Sequence, residues 1–118
     1  QSLTDHVVWQ LRMLGLDPLE EALAAVLVGN MDDDGYVQVA VEEVAFEQNV
    51  DFDLVDSVLR RMQALDPPGV GARDLRECLL LQLRAAGEDD SLAAEIVRRC
   101  LDLLEGRRYD KIAKELAV

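Results

Sequence analysis

Residues 65–79 read LDPPGVGARDLRECL, and this stretch interrupts the helical pattern of the chain. Its two adjacent prolines fix φ and lack backbone donors, so a preceding helix has to end before them. Its two glycines can adopt backbone conformations that other residues disfavour, and Val70 between them is predicted to pack into the core. We therefore expect a rigid turn that ends one helix and leads into another.

A helix is predicted immediately after this turn, over residues 73–86. Asp74 is expected in its first turn, where a carboxylate favours the positive end of the helix dipole. Arg73 is expected to pair with Asp66 across the turn. Cys78 lies on the apolar stripe of this helix, which predicts a small core residue in a reducing compartment.

Two further helices are predicted downstream. Ser91 can cap a helix that runs to about residue 104, and Gly106 separates it from a last helix over residues 109–116. The apolar residues of the last helix share one packing face. We expect this helix to be incomplete and the chain to be a fragment of a longer protein.

Four helices are predicted before the turn, because apolar residues recur at a spacing that places them on one helix face. The predicted helices span residues 3–14, 18–29 and 41–48, followed by a fourth that ends at residue 65. The candidate caps are Ser2 or Thr4 for the first helix, Asp17 for the second, and Asp51 or Asp53 for the fourth. Residues 36–39 could form one very short extended segment.

These elements predict an all-α fold, and no apolar run reaches membrane-spanning length. The turn after Leu65 and a step in charge near Arg60 divide the chain into two predicted subdomains. The first subdomain, residues 1–65, would contain about four helices. The second, residues 66–118, would contain about three, and the two would be joined around the Pro-Pro-Gly turn, either by the turn itself or by the helix before it.

The formal net charge of −12 is confined to the first half of the chain. Residues 1–59 contain thirteen acidic side chains and one base, whereas residues 60–118 contain eleven of each. A phosphate backbone would be repelled by the acidic half, which disfavours nonspecific nucleic-acid binding there. A basic protein surface is the better-matched partner.

One acidic segment resembles the beginning of a calcium-binding loop, through Asn30, Asp32 and Asp34. The twelfth loop position, which should supply a bidentate carboxylate, is Val41, so calcium binding is disfavoured and a structural acidic turn is predicted. Catalysis is not indicated either, because the single histidine, His6, has no nucleophile or orienting group at suggestive spacing. We expect no enzymatic activity, no metal and no cofactor.

The strings LDPPGVGARDL at residues 65–75, ECL at 77–79 and QL at 82–83 resemble the signature of the core-binding region of bacterial sigma-54 transcription factors. Weaker similarity to the same family covers residues 3–11, 29–36 and 109–116. The resemblance implies a helical, non-enzymatic, monomeric and cytoplasmic module that binds core RNA polymerase. It also implies that promoter DNA is contacted only by other domains of a full-length protein.

The candidate functional residues fall into two groups. Because the first half is acidic, we expect its exposed carboxylates to meet basic polymerase surface, and the candidates are Glu20, Glu21, Asp32, Asp33 and Asp34. The second group is the joint, residues 66–75, which is expected to set the geometry of the two subdomains. It consists of Asp66, Pro67, Pro68, Gly69, Val70, Gly71, Ala72, Arg73, Asp74 and Leu75.

The alternative hypothesis is a DNA-binding domain of helix-turn-helix type. Residues 109–116 resemble the first helix of that motif, and the neighbourhood is basic through Arg107, Arg108, Lys111 and Lys114. The acidic half would then be a regulatory or oligomerising cap. Duplex-DNA binding that weakens steeply with salt distinguishes this hypothesis from polymerase docking.

Overall fold

The structure, a computed structural model, describes the backbone of residues 2–105 and the side chains of residues 2–99. The regular elements in this range are α1 (Leu3–Arg12), α2 (Pro18–Gly29), α3 (Val41–Gln48), α4 (Phe52–Gln63), α5 (Leu75–Ala85) and α6 (Leu92–Glu105). The extended segment is reduced to an isolated antiparallel bridge between Met31 and Val37. The predicted all-α class is therefore confirmed, and the helix predicted over residues 109–116 lies outside the described residues.

The first two helices begin at residues whose side chains satisfy free backbone donors. Ser2 caps α1 by accepting from the backbone N–H of Asp5, and the Asp5 carboxylate accepts from the Ser2 backbone in return. Asp17 and Glu20 form the same reciprocal arrangement at the start of α2. Each such cap stabilises a helix by about 1 kcal/mol. Asp51 occupies the cap position of α4, although its side chain makes no capping hydrogen bond.

Helices α1 to α4 surround one apolar core. The bulky side chains that are fully buried there are Val7, Leu23, Leu27, Val41, Val44, Val55, Val58, Leu59 and Met62. Helix α2 packs against α1, α3 and α4, so it is the central element of this cluster. Burial of one such side chain contributes about 1.5–3 kcal/mol, which makes this core the main source of stability in the described residues.

The joint completes this core before the chain enters α5. Val70 is only 3% exposed and packs into the same cluster, as its position between two glycines predicted. The Gly71 N–H donates to the Gly35 carbonyl at 2.9 Å, and the Val37 N–H donates to the Ala72 carbonyl at 2.9 Å. These two hydrogen bonds attach the joint to the acidic turn that follows α2.

Helices α5 and α6 pack against each other, with Ala94 and Val97 of α6 buried. No helix among residues 2–105 is long and apolar enough to cross a membrane. The division of the chain at residue 65 remains a prediction.

The beginning of α5 differs from the predicted one. The helix starts at Leu75, and Asp74 precedes it in an extended conformation, where its side chain accepts from the backbone N–H of Glu77. Asp74 is therefore the cap and not part of the first turn. Arg73 pairs with Glu77 and not with Asp66, because the cap brings the Glu77 carboxylate back over the Arg73 backbone.

Candidate docking surface and the joint beside it

The two glycines of the joint are required by close contacts as well as by backbone conformation. Gly69 and Gly71 have φ angles of +100° and +83°. A Cβ atom on Gly69 would lie 2.8 Å from the sulfur of Cys78, and one on Gly71 would lie 3.2 Å from atoms of Gln63 and Met62. Side chains at either position would push α4 or α5 away from the joint.

A buried amide links the end of α4 to the joint. The Gln63 side chain is 5% exposed, and its Nε2 donates to the Gly71 carbonyl at 3.0 Å. Its Oε1 accepts from the Arg60 guanidinium at 2.9 Å. Both ends of this amide are thus satisfied, as burial of a polar group requires.

The Glu77 carboxylate of α5 connects the joint to α4. It accepts hydrogen bonds from Arg73 at the backbone N–H (2.8 Å), Nε (2.9 Å) and an Nη (2.6 Å), and from an Arg60 Nη at 3.1 Å. Burial alone would raise the pKa of Glu77, but the hydrogen bonds from the two arginines outweigh it and hold the pKa at about 2, below the ordinary value of 4.5. The hydrogen bonds that the Arg73 side chain donates to Glu77 raise the pKa of Arg73 in turn.

The opposite side of the joint is attached to α1. The Gln10 side chain donates to the Asp66 carbonyl at 2.5 Å and accepts from the Asp66 N–H at 2.9 Å. The His6 Nε2 lies 3.6 Å from the Asp66 carboxylate. Among the described residues, Asp66 is thus contacted by α1, where the sequence had predicted Arg73.

A second contact between the first half and α5 involves Tyr36 and Cys78. Burial, together with the neighbouring Cys78, raises the pKa of the Tyr36 hydroxyl. The Cys78 thiol also lies 3.3 Å from the Gln82 side-chain nitrogen. Cys78 is half-buried at this contact, so it is less enclosed than the small core residue that the sequence predicted.

Asp32 belongs to the internal structure of the acidic turn. Its carboxylate accepts from the backbone N–H groups of Asp34 and Tyr36 and from the Gln38 side chain, at 2.9, 3.0 and 2.7 Å. These hydrogen bonds, the one from Tyr36 first, lower the pKa of Asp32. Asp33 and the Asp34 side chain are exposed and leave their carboxylates accessible to a partner.

Glu20 and Glu21 lie in the first turn of α2, whereas the acidic turn follows its last residue, and the helix advances about 14 Å from Glu20 to Gly29 at about 1.5 Å per residue. Glu20 is engaged in the α2 cap and pairs with Arg61 at 3.5 Å. Glu21 is exposed and borders a groove of about 360 Å³ between α1 and α2. The structure therefore does not bring the five candidate carboxylates together.

Large apolar side chains on the surface were not singled out by the sequence analysis. The exposed ones among residues 2–99 are Trp9 of α1, Met13 directly after α1, Leu19 of α2, Phe46 of α3, Phe52 of α4, Leu75 of α5 and Leu92 of α6. Phe46 is the most exposed, at 87%. The exposure of Phe46 could have been inferred from the sequence, because Val41, Val44 and Ala45 form the apolar face of α3 and Phe46 lies outside it.

The described residues contain no group of three or more His, Cys, Asp or Glu side chains arranged to hold a metal ion.

Comparison with known proteins gives a consistent set of similarities. A family model described as "Sigma-54 factor, core binding domain" matches residues 1–118. The chain is 37% identical over 123 residues to an RNA polymerase sigma-54 factor of Pseudomonas aeruginosa (strain UCBPP-PA14), which covers 98% of this chain and 25% of that protein. The protein of the same name from Acidithiobacillus ferridurans is 39% identical over 122 residues, or 100% of this chain and 26% of that protein. The chain thus spans about a quarter of the length of these relatives.

Proposed function

The chain belongs to the sigma-54 factor core binding domain family, and we propose that it attaches a sigma-54 factor to core RNA polymerase. The match of the family model to all 118 residues is the observation that carries this proposal. In this role the chain is a non-enzymatic docking module of the bacterial cytoplasm. It acts as a monomer and leaves promoter DNA to other parts of the sigma factor.

The charge distribution supports a protein partner. All of the net charge of −12 comes from residues 1–59, and Glu21, Asp33 and Asp34 expose their side chains. Complementary charges across an interface mainly accelerate association and select the partner. An acidic surface is matched by a basic patch on polymerase and repels the phosphates of nucleic acid.

The joint gives the proposed module a defined shape. Hydrogen bonds connect it to α1 through Gln10, to α4 through Gln63, and to α5 through Glu77. We propose that these contacts hold the subdomain of residues 1–65 against that of residues 66–118. Both halves would then meet the polymerase in one orientation, which lowers the entropic cost of binding.

The DNA-binding alternative depends on residues 107–116, which lie outside the described residues. No contact among residues 2–105 favours it, whereas the family match favours docking.

The test is to titrate the 118-residue chain against purified bacterial core RNA polymerase, in competition with a full-length sigma-54 factor. Duplex DNA serves as the control ligand. We expect saturable polymerase binding that the full-length factor displaces, with little binding to DNA. Salt-sensitive DNA binding without polymerase binding would contradict the proposal.

A further inference from the structure

The corner between α3 and α4, residues 42–53, presents two exposed aromatic side chains. Phe46 is 87% exposed near the end of α3, and Phe52 is 44% exposed at the first residue of α4. Both lie outside the buried face of their helices, which is formed by residues such as Val44 and Val55. Neither exposed ring is explained by packing within the described residues.

We propose that the α3–α4 corner is an anchoring surface that inserts Phe46 into an apolar pocket bordered by Lys and Arg side chains on the partner protein. This inference rests on the proposed function, because the partner in question is core RNA polymerase. Aromatic side chains that become fully desolvated at the centre of an interface often carry much of the binding energy, and surrounding polar residues exclude water.

The surroundings of Phe46 define the charge of that partner surface. Every ionisable side chain of the corner is an exposed carboxylate, namely Glu42, Glu43, Glu47, Asp51 and Asp53. Residues 13–59 contain no Lys, Arg or His at all. Among the described residues, no cation lies within 4.0 Å of these five carboxylates. Their charge is therefore available to a basic partner.

The same charges disfavour the other possible occupants of an exposed apolar corner. Anionic lipid headgroups and nucleic-acid phosphates would be repelled by five carboxylates. A second copy of the chain would bring two acidic corners together if they paired symmetrically. A basic protein surface with an apolar pocket is the occupant that satisfies both the aromatic rings and the carboxylates.

The backbone of the corner holds Phe46 in place before binding. Asn49 ends α3 in the left-handed conformation, with φ of 56°, and its N–H donates to the Phe46 carbonyl at 3.3 Å. The Val50 N–H donates to the Ala45 carbonyl at 3.0 Å. These hydrogen bonds cap the C-terminus of α3. The backbone around Phe46 is therefore already ordered, which lowers the entropic cost of binding.

The first test compares Phe46→Ala with Leu92→Ala, which removes a side chain of similar exposure (63%) from α6. We expect Phe46→Ala to raise the Kd for core polymerase by at least about tenfold, as for an interface hot spot, and Leu92→Ala to change it less than about threefold. The urea midpoints of both variants should match that of the unchanged chain, since neither side chain is in the core. Equal polymerase affinity of Phe46→Ala and the unchanged chain would overturn the inference.

The charged rim is tested by the double substitution Glu43→Lys and Glu47→Lys. We expect slower association with polymerase at low ionic strength, with the difference reduced in high salt. An unchanged association rate would show that Lys and Arg side chains do not border the pocket, and would contradict that part of the proposal.

A photoreactive phenylalanine analogue at position 46 identifies the occupant directly. Crosslinking to a polymerase segment that contains Lys or Arg beside apolar residues supports the inference, whereas crosslinking to a second copy of the chain overturns it. The proposed function fails separately, and only if the unchanged chain does not bind polymerase at all.

Discussion

The side-chain amide of Gln10 pairs with both backbone polar groups of Asp66, a residue 56 positions away in sequence. This pair joins the middle of α1 to the residue that precedes the two prolines. It acts like one rung of a β-ladder, because the amide donates to the carbonyl and accepts from the N–H of the same residue. The position of the joint on the four-helix core therefore depends on α1.

Replacement of Gln10 by alanine is expected to destabilise the fold by about 1 kcal/mol, because two hydrogen bonds to the exposed Asp66 backbone are lost. Gln48→Ala is the matched control, since Gln48 is exposed at the end of α3. Urea denaturation of both variants measures the difference. Equal midpoints for the two variants would show that the Gln10 amide contributes nothing to stability.

Gly69→Ala is expected to lower the free energy of unfolding by about 1–3 kcal/mol through its positive φ, and further through the 2.8 Å contact with Cys78. Gly29→Ala provides the contrast, because a Cβ there meets open space at the last residue of α2. That substitution should be neutral or stabilising by up to about 1 kcal/mol. Thermal unfolding of the pair checks the prediction, and a similar Tm for both variants would contradict it.

Acid should weaken the fold through Glu77. Because its pKa of about 2 in the folded chain lies below the ordinary value of 4.5, the ionised carboxylate stabilises the fold above a pH of about 4.5. This stabilisation is lost as the pH falls from 4.5 toward 2. Glu77→Gln should therefore cost on the order of 2 kcal/mol at neutral pH, once the shift is discounted for solvent screening of this partly exposed group, and flatten the dependence of stability on pH in that interval.

The matched control for Glu77 is Glu88→Gln, which removes an exposed carboxylate from the loop between α5 and α6. Denaturation at a series of pH values should give the same acid dependence for Glu88→Gln as for the unchanged chain. If Glu77→Gln also kept that dependence, the arginine contacts of Glu77 would not be the source of its low pKa.

The carboxylates of the acidic turn are expected to have two different roles, polymerase binding for Asp33 and Asp34 and stability of the turn for Asp32. The double substitution Asp33→Lys and Asp34→Lys is expected to weaken polymerase binding at low ionic strength by roughly tenfold, with stability changed by less than about 0.5 kcal/mol. Asp32→Asn is expected to destabilise the turn and lower the urea midpoint, since Asp32 accepts three hydrogen bonds. Polymerase titration and urea denaturation measure the two effects, and unchanged affinity of the double variant would exclude the turn from the docking surface.

Much of the helical architecture was accessible from sequence. The predicted limits of the second and third helices agree with α2 and α3, and Asp17 is the cap of α2. Apolar periodicity and capping residues are local signals, so they can be read without knowledge of the fold. The start of α5 was missed by two residues, because Asp74 is equally plausible as a cap or as a first-turn residue.

The candidate docking residues were harder to predict than the helices. Charge identified an acidic half, but it could not show that Asp32 is engaged in its own turn while Asp33 is exposed. Nor could it show that about 14 Å of α2 lies between Glu20 and the helix end that precedes the acidic turn. The exposure of a carboxylate and the direction in which it points depend on how the helices pack. Neither can be obtained from a count of charges.

The rigid turn at residues 66–71 follows from the order of its amino acids, because proline and glycine constrain the backbone whatever surrounds them. The same holds for the helix caps, whose hydrogen bonds span three residues. The partners of the joint were decided by the tertiary structure. Gln10 and Gly35 are remote in sequence and reach the joint only once α1 to α4 have packed around their common core.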